Sequence, residues 1–297
     1  MHNLTSWKRQ LMRFTLLVAV GCHGATATAD EDADRIVSVG GALTEIIYAL
    51  DAQSHLVGVD TTSLWPESAQ TLPQVGYMRA LSAEGILSLT PDRLIASAHA
   101  GPPPVLEQIR SAGVEVSIFP EDYSEAGVIN KITAVAELLS KQAAGTKLAH
   151  TIRADFQQLA DWRAKLTRHP KVLFFMAVSH GAPLVSGRDT PADAMIRLAG
   201  GSNAASDFSG NKAIGSETII AAAPEVILLT DISVNALGGL DKCYQLPGIA
   251  QTPAGENRRL IVVDTLALLG FGLRSGQAAL ALAKQLHQQP NAAAHAE

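Results

Sequence analysis

The sequence predicts an α/β fold of two similar lobes with central parallel sheets, joined by one long spanning helix. Three observations carry this expectation. A segment occurs twice, short apolar strands alternate with helices, and the stretch from Ser124 to Arg168 has helical spacing with almost no turn chemistry. Strands that alternate with helices build parallel sheets covered on their faces. A long-period repeat implies two related units with a cleft between them.

The repeat is ALSAEGILSLTPDRLI at residues 80–95 and AIGSETIIAAAPEVIL at residues 213–228. A shift of 133 residues (217 minus 84) pairs Glu84 with Glu217, Ile86 with Ile219, Leu87 with Ile220 and Pro91 with Pro224. It also pairs Asp92 with Glu225, Leu94 with Ile227, and the upstream basic residues Arg79 and Lys212. Both copies read as a basic residue, a loop, a helix opening with Glu, a Pro–acid break and a buried strand.

The elements follow in order. RIVSV at Arg35–Val39 is β-rich, and Gly40-Gly41 turns it into a helix over Leu43–Leu50. His55–Val59 is a second strand, Ser82–Leu89 a helix stopped by Thr90-Pro91, and Arg93–Ala96 a third strand. Pro102 to Pro104 open a helix that stops at Gly113, and Val114–Phe119 is the next strand. From Ser124 the apolar positions Ile129, Ile132, Val135, Leu138, Leu139, Leu148, Ile152, Phe156 and Leu159 recur at helical spacing up to Pro170. At ~1.5 Å per residue, about 40 residues make a rod of about 60 Å if unbroken. The second lobe opens with the apolar strand Val172–Val178 and continues with the helix Pro191–Leu198, which ends at Gly200-Gly201. The second copy of the repeat, a late strand at Ile261–Val263 and a closing helix at Ser275–Gln288 complete it. Ala236–Glu256 reads as the one long loop. The expected organisation is residues 1–29 as a leader, 35–123 as the first lobe, 124–169 as the linker helix and 170–297 as the second lobe.

The leader is a secretory signal peptide by its parts. Lys8, Arg9 and Arg13 precede a short apolar run that contains Leu16 to Gly21, too short to span a bilayer. Ala27-Thr28-Ala29 is a small-residue cleavage site before acidic Asp30, Glu31 and Asp32. Cleavage after about Ala29 discards Cys22, whose neighbours Ala19-Val20-Gly21 make a poor lipoprotein box, and leaves Cys243 as a structural thiol with no disulfide. The mature chain then holds 20 Lys and Arg (23 less the three in the leader) against 28 Asp and Glu, a net charge of −8. That balance and the lack of a basic stripe exclude nucleic acid as a partner, so local arginines must meet any anionic ligand. No other run is long and apolar enough for membrane insertion, and an exported, soluble protein is expected.

Several enzyme signatures are absent. No G-x-x-x-x-G-K-[ST] or HExxH occurs, Gly270-Phe271-Gly272 does not continue to G-x-G-x-x-G, and Ser179-His180-Gly181 lacks the flanking glycines of a nucleophile elbow. A carboxylate pair made of Glu84 and Glu217 is the remaining enzymatic reading, and that chemistry requires a separation of about 5–10 Å. Tips of two different lobes are too far apart for it.

The leader, the two lobes, the spanning helix and the paired Glu–Pro–acid segments resemble class III periplasmic substrate-binding proteins of ABC importers, over about residues 35–288. Gly76-Tyr77-Met78-Arg79-Ala80-Leu81-Ser82, Asp193 to Gly201 (DAMIRLAGG) and Leu269-Gly270-Phe271-Gly272-Leu273-Arg274 resemble the haem-binding subgroup. The resemblance implies a non-enzymatic protein that carries ferric haem to an inner-membrane transporter. It implies Tyr77 as the axial ligand, and a phenolate is a hard anionic donor suited to ferric iron. Arg79 and Arg274 are the candidate arginines that support the tyrosinate, since nearby positive charge favours the phenolate. His180 follows a strand end, where α/β ligand sites lie, and is either a second iron ligand or a strand cap. His99 has a similar place after Arg93–Ala96. Lys212 either meets a haem propionate or is solvated. Glu84 and Glu217, one per lobe, are implied to dock on the dimeric permease. A ferric siderophore or cobalamin is the alternative cargo within the same class.

Overall fold

Four short strands, β1 (Ile36–Val39), β2 (Leu56–Val59), β3 (Arg93–Ser97) and β4 (Glu115–Phe119), pair in parallel in the order β2-β1-β3-β4. The helices α1 (Gly41–Ala49), α2 (Ala83–Leu87) and α3 (Pro103–Ser111) connect them. The computed structural model describes residues 34–178 and 182–288, so the expected leader with its cleavage site and Cys22 lies outside the described residues. After α4 (Glu125–Leu138) and α5 (Gln142–Arg163) the chain enters a second sheet. Its strands are β5 (Lys171–Ala177), β6 (Leu184–Ser186), β7 (Ser202–Asn203), β8 (Asn211–Ala213), β9 (Val226–Thr230) and β10 (Leu260–Val263). The order is β10-β9-β5-β6-β8; β5, β9 and β10 run parallel, β6 and β8 form an antiparallel edge, and β7 pairs with the start of β5. The helices of this half are α6 (Pro191–Leu198), α7 (Ser216–Ala222), α8 (Asp231–Leu237), α9 (Leu240–Tyr244), α10 (Pro253–Glu256), α11 (Thr265–Leu269) and α12 (Ser275–His287).

The period of two along each strand decides which core a side chain joins. Val37 and Val39 of β1, Leu94 and Ala96 of β3 face a core of the first half. Leu173 and Phe175 of β5, Ile227 and Leu229 of β9 face a core of the second half. The alternate residues Ile36, Ile95, Phe174 and Leu228 belong to one continuous core, shared with apolar faces of α1, α4, α5, α6 and α12. Both sheets therefore bury one face in common apolar material, and the chain from Asp34 onward is one compact unit.

The repeat is structural. α2 and α7 begin 133 residues apart (216 minus 83), and so do β3 and β9 (226 minus 93). Ile86 and Ile219 are both fully buried. The acid after each proline does the same work in both copies. Asp92 donates its N–H to Arg35 O (2.9 Å) and accepts the Arg35 N–H at Oδ2 (2.8 Å). Glu225 donates its N–H to Lys171 O (2.8 Å) and accepts the Lys171 N–H at Oε1 (3.1 Å). Each acid thus satisfies the backbone groups at the start of its neighbouring strand.

The expected continuous rod over 124–168 is interrupted. α4 ends at Leu138, Ser140 takes a left-handed φ of 54°, and the chain reverses into α5. Ser140 N–H donates to Glu137 O and Lys141 N–H to Ala136 O, the paired bonds of a Schellman cap. That cap usually announces itself with glycine, and here a serine fills the position. The spanning helix is α5 alone, 22 residues or about 33 Å long. Its first turns pack on α4, where Gly145 lies so close that a Cβ would stand 2.3 Å from Ala136 Cβ. Its later turns pack on α12, where Gln277 donates to Asp155 Oδ2 at 3.0 Å and Gly276 abuts Phe156. The expected loop Ala236–Glu256 is also corrected: it contains the end of α8, all of α9 and α10, and the buried Cys243, whose thiol is pushed up by burial.

A second crossing between the halves lies at α1. Glu45 is 4% exposed. Its carboxylate accepts from Arg274 Nε (2.8 Å) and from the Leu273 N–H (3.3 Å). Burial pushes its carboxyl above the ordinary value, against the opposing pull of Arg274 and the Leu273 N–H. Gly272 fits here because it has no side chain: a Cβ would stand 2.5 Å from Glu45 Oε2.

Gly145→Ala separates propensity from packing. Helix propensity alone favours alanine by about 1 kcal/mol. The contact with Ala136 predicts the opposite sign, a loss of about 1–3 kcal/mol from overpacking. Urea unfolding of the two proteins measures which term wins.

Candidate functional site

The carboxyl ends of the parallel strands from both sheets converge on one cleft of about 360 Å³, as open α/β sheets place their ligands. From the first half, Gly40 to Leu43, Thr61, Thr62, Tyr77 to Arg79, Ser97, His99, Glu121 and Tyr123 line it. Met176, Ser186, Thr190, Asn211, Ile232, Thr265, Leu266, Leu269 and Gly270 form the facing wall. Most of the lining is apolar, so polar groups are few and individually placed.

Buried Asp60 sets the floor. Its Oδ1 accepts from the Gly40 N–H (2.9 Å) and Ser63 Oγ (3.1 Å), and its Oδ2 accepts from the Thr62 N–H (3.1 Å) and hydroxyl (2.7 Å). Gly41 passes the Thr62 carbonyl at a distance where a Cβ would be only 2.3 Å away. The turn after β1 and the turn after β2 are therefore locked edge to edge.

Tyr77 stands on a backbone strap. Gly76 has a φ of 95°, a left-handed value that favours glycine. Thr61 N–H donates to Gly76 O (3.0 Å), Ala80 N–H to Tyr77 O (2.8 Å) and Gly101 N–H to Met78 O (2.9 Å). The strap is fixed, yet the Tyr77 side chain is 45% exposed, and no hydrogen bond to its hydroxyl is made among the described residues. A strict strand would point residues 77 and 79 the same way and 78 the other; this turn brings Tyr77, Met78 and Arg79 all to the cleft. No ion pair among the described residues engages Arg79.

Beside it stands a polar network that the sequence reading missed apart from His99. His99 Nε2 meets Tyr123 Oη at 2.7 Å. Burial and then the Glu121 charge raise the Tyr123 phenol above its ordinary value, with Arg79 opposing, so the hydroxyl stays protonated in its hydrogen bond with His99. Ser97 donates to Glu121 Oε1 (2.6 Å), and Glu121 Oε2 accepts from buried Lys131 Nζ (2.9 Å). Glu121 is thus ion-paired, whereas Arg79 is the charge on the described lining without an ion-pair partner among the described residues. The rule that selected His99, a residue just past a strand's carboxyl end, selects Glu121 and Tyr123 when applied to β4.

Other expected site residues lie elsewhere. Arg274 does not line this cleft: it pairs with Glu45, reaches Asp264 Oδ1 at 3.2 Å and lies 5.2 Å from the Trp65 ring centroid in a separate crevice. The resemblance groups it with Tyr77, but the buried Glu45 carboxylate holds it at the junction of the halves. Lys212 is exposed on β8, over the Phe208 ring at 5.7 Å and off the lining. His180 lies outside the described residues. Glu84 and Glu217 are exposed in the first turns of α2 and α7 and do not line the cleft. Each of those helices precedes a strand that runs back toward the cleft, so both carboxylates sit at the edge where the strands end. Among the described residues no cluster of three or more His, Cys, Asp and Glu could hold a metal ion, and no helix is long and apolar enough to cross a membrane.

The periplasmic binding protein family matches residues 36–266. Two solved structures share 42% identity and a TM-score of 0.82 with this chain. One is the periplasmic heme-binding protein RhuT from Roseiflexus sp. RS-1 in apo form, with 86% of this chain and 98% of that one covered. The other is the periplasmic heme-binding protein BhuT in complex with two hemes, with 85% and 97% covered. Among curated relatives, an uncharacterized ABC transporter substrate-binding lipoprotein, YvrC of Bacillus subtilis, is 26% identical over 207 residues, 69% of this chain and 66% of that protein. The vitamin B12-binding protein of Vibrio parahaemolyticus is 28% identical over 202 residues, 67% of this chain and 71% of that protein.

Lys131→Met leaves Glu121 as a partly buried carboxylate without its cation. Losing one partner of a buried pair costs about 3–5 kcal/mol. Adding Glu121→Leu is expected to recover much of that loss, and thermal unfolding of the two variants measures both steps.

Proposed function

The chain belongs to the periplasmic binding protein family, and on that premise we propose that it binds ferric haem in the cleft between its sheets and delivers it to an ABC importer of the inner membrane. The observation that carries this reading is Tyr77: a phenol without a hydrogen-bond partner among the described residues, on a fixed strap, at the wall of an apolar cleft. A phenolate oxygen is a known axial donor to haem iron. Arg79 supplies positive charge beside it, for the phenolate or for a haem carboxylate. The haem-binding proteins RhuT and BhuT, at 42% identity over almost their whole length, support haem as the cargo. His180 enters as a second iron ligand on its chain position after β5. The cargo is carried and released unchanged, so the reading is of a transport protein and not an enzyme.

Residues 1–29 are read as the export signal, removed after about Ala29, and the mature protein as a monomer in the periplasm. Glu84 and Glu217 are read as a two-point contact with the permease dimer. Their support is the repeat, which gives both halves one exposed carboxylate in the first turn of equivalent helices. Cobalamin is the second reading, favoured by the vitamin B12-binding relative.

Titration of the purified protein with hemin, and separately with cyanocobalamin, tests the cargo. The expected outcome is a high-spin ferric tyrosinate spectrum with hemin, lost in Tyr77→Phe while the fold persists. An unchanged hemin spectrum in Tyr77→Phe removes Tyr77 as the ligand. Saturable binding of cyanocobalamin without hemin binding selects the second reading.

Glu84→Ala combined with Glu217→Ala separates binding from delivery. Hemin affinity is expected to stay at the wild-type value, since neither residue lines the cleft. Interfacial charge pairs couple by about 1.5–7 kcal/mol. Haem-stimulated ATP hydrolysis by the reconstituted transporter is therefore expected to fall, further in the double variant than in either single one. Normal stimulation by the double variant contradicts the docking role.

A further inference from the structure

We infer that Glu45 and Arg274 are positioning residues that clamp the two walls of the cleft at a fixed separation, so that the cargo enters a preformed slot. The inference rests on the reading that this cleft holds the cargo, and it goes beyond that reading by assigning work to two residues that do not touch it.

The clamp and the two walls of the cleft share the same two segments. α1 begins with Gly41, Ala42 and Leu43 on the lining, and Glu45 follows one turn later on the same helix. On the other side Leu266, Leu269 and Gly270 line the cleft, and the chain then runs directly into the junction. Phe271 packs on Tyr123 with ring centroids 5.1 Å apart. A Cβ on Gly272 would come within 3.2 Å of Ala42 Cβ. The Leu273 N–H and Arg274 Nε then close on Glu45.

Arg274 also holds the far end of that segment. Its Nη1 donates to Asp264 Oδ1, the same oxygen that accepts the Ala267 N–H at 2.6 Å and so caps α11. One guanidinium therefore ties α11 at its start and the strap beyond it to α1 of the other half. Trp65 covers its face, and Tyr48 shares the crevice. One cation between two carboxylates is a charge arrangement that favours the closed junction. A clamp of this kind lowers the ordering cost of binding, because the walls are already at their bound separation.

A purely structural pair and a positioning pair make different predictions. Arg274→Met keeps the apolar stem over Trp65 and removes both ion pairs. Hydrogen exchange of residues 264–274, thermal unfolding and the hemin dissociation constant are read on the same full-length protein, below the melting temperature of each variant. The expected result is faster exchange in that segment and an affinity loss of about tenfold through faster release, with the tyrosinate spectrum retained. Arg274→Lys, which reaches Glu45 but not both carboxylates at once, is expected to recover part of the affinity. Glu45→Gln, which keeps one acceptor for Arg274 and loses the charge, serves as the second variant should Arg274→Met not fold, with the same expected direction. Folded variants with wild-type exchange and wild-type hemin affinity overturn the inference, and so does a lower melting temperature with unchanged affinity. If the wild-type protein binds no hemin, the cargo reading fails by itself. Faster exchange at 264–274 then still supports the clamp, and unchanged exchange still sinks it.

Discussion

A carboxylate with almost no access to water sits where the two halves of the chain meet, and its need for partners organises the molecule. Moving an ion such as the Glu45 carboxylate out of water costs several kcal/mol unless hydrogen bonds and an opposite charge replace the water. The replacement comes from more than 220 residues away in sequence, from Leu273 N–H and Arg274. For those groups to arrive, Gly272 must pass against α1 with no side chain, Phe271 must stack on Tyr123, and α11 must end beside the cleft. Together with α5 and the shared apolar core this makes two links between the sheets. A single linker would allow hinge motion; two links and a common core give the cleft a set width.

That geometry suits a carrier of a large flat cargo. The strands point their carboxyl ends into the cleft from both sides, and the apolar walls supply area while a few polar groups supply orientation. The first wall carries Tyr77, Arg79 and the His99–Tyr123 pair, with the Ser97–Glu121–Lys131 chain behind them. The facing wall carries Met176, Ile232, Leu266 and Leu269. The repeat shows how this asymmetry arises: a shift of 133 turns His99 into Ile232 and Met78 into Asn211, and all four line the cleft. Duplicated architecture has thus been given different chemistry on each side.

Much of this was legible in the sequence, and the limits have physical reasons. The longer strands and most helices follow from periodicity, with ends shifted by a residue or two. The paired Pro–acid breaks were legible as a repeat, but their role was not, because it depends on which strand lies next door: Asp92 holds Arg35, and Glu225 holds Lys171. The reversal at Ser140 is not legible because a Schellman cap with serine in place of glycine leaves no breaker in the sequence. The short edge strands β6 and β8 have no alternation long enough to read. Tyr77 and Arg79 were selected by resemblance, and both line the cleft. Arg274 was selected in the same way and is held elsewhere, because a buried partner in another part of the chain decides where an arginine ends up. Glu45 lies in a helix that reads as apolar, and nothing local marks it as a charge to be buried.

The most direct measurement is a structure of the hemin-loaded protein. The expected result is an iron–oxygen bond to Tyr77, haem carboxylate density near Arg79, and unchanged Glu45–Arg274–Asp264 contacts. A haem held without Tyr77, or a cleft that closes by breaking the Glu45–Arg274 contact, contradicts it.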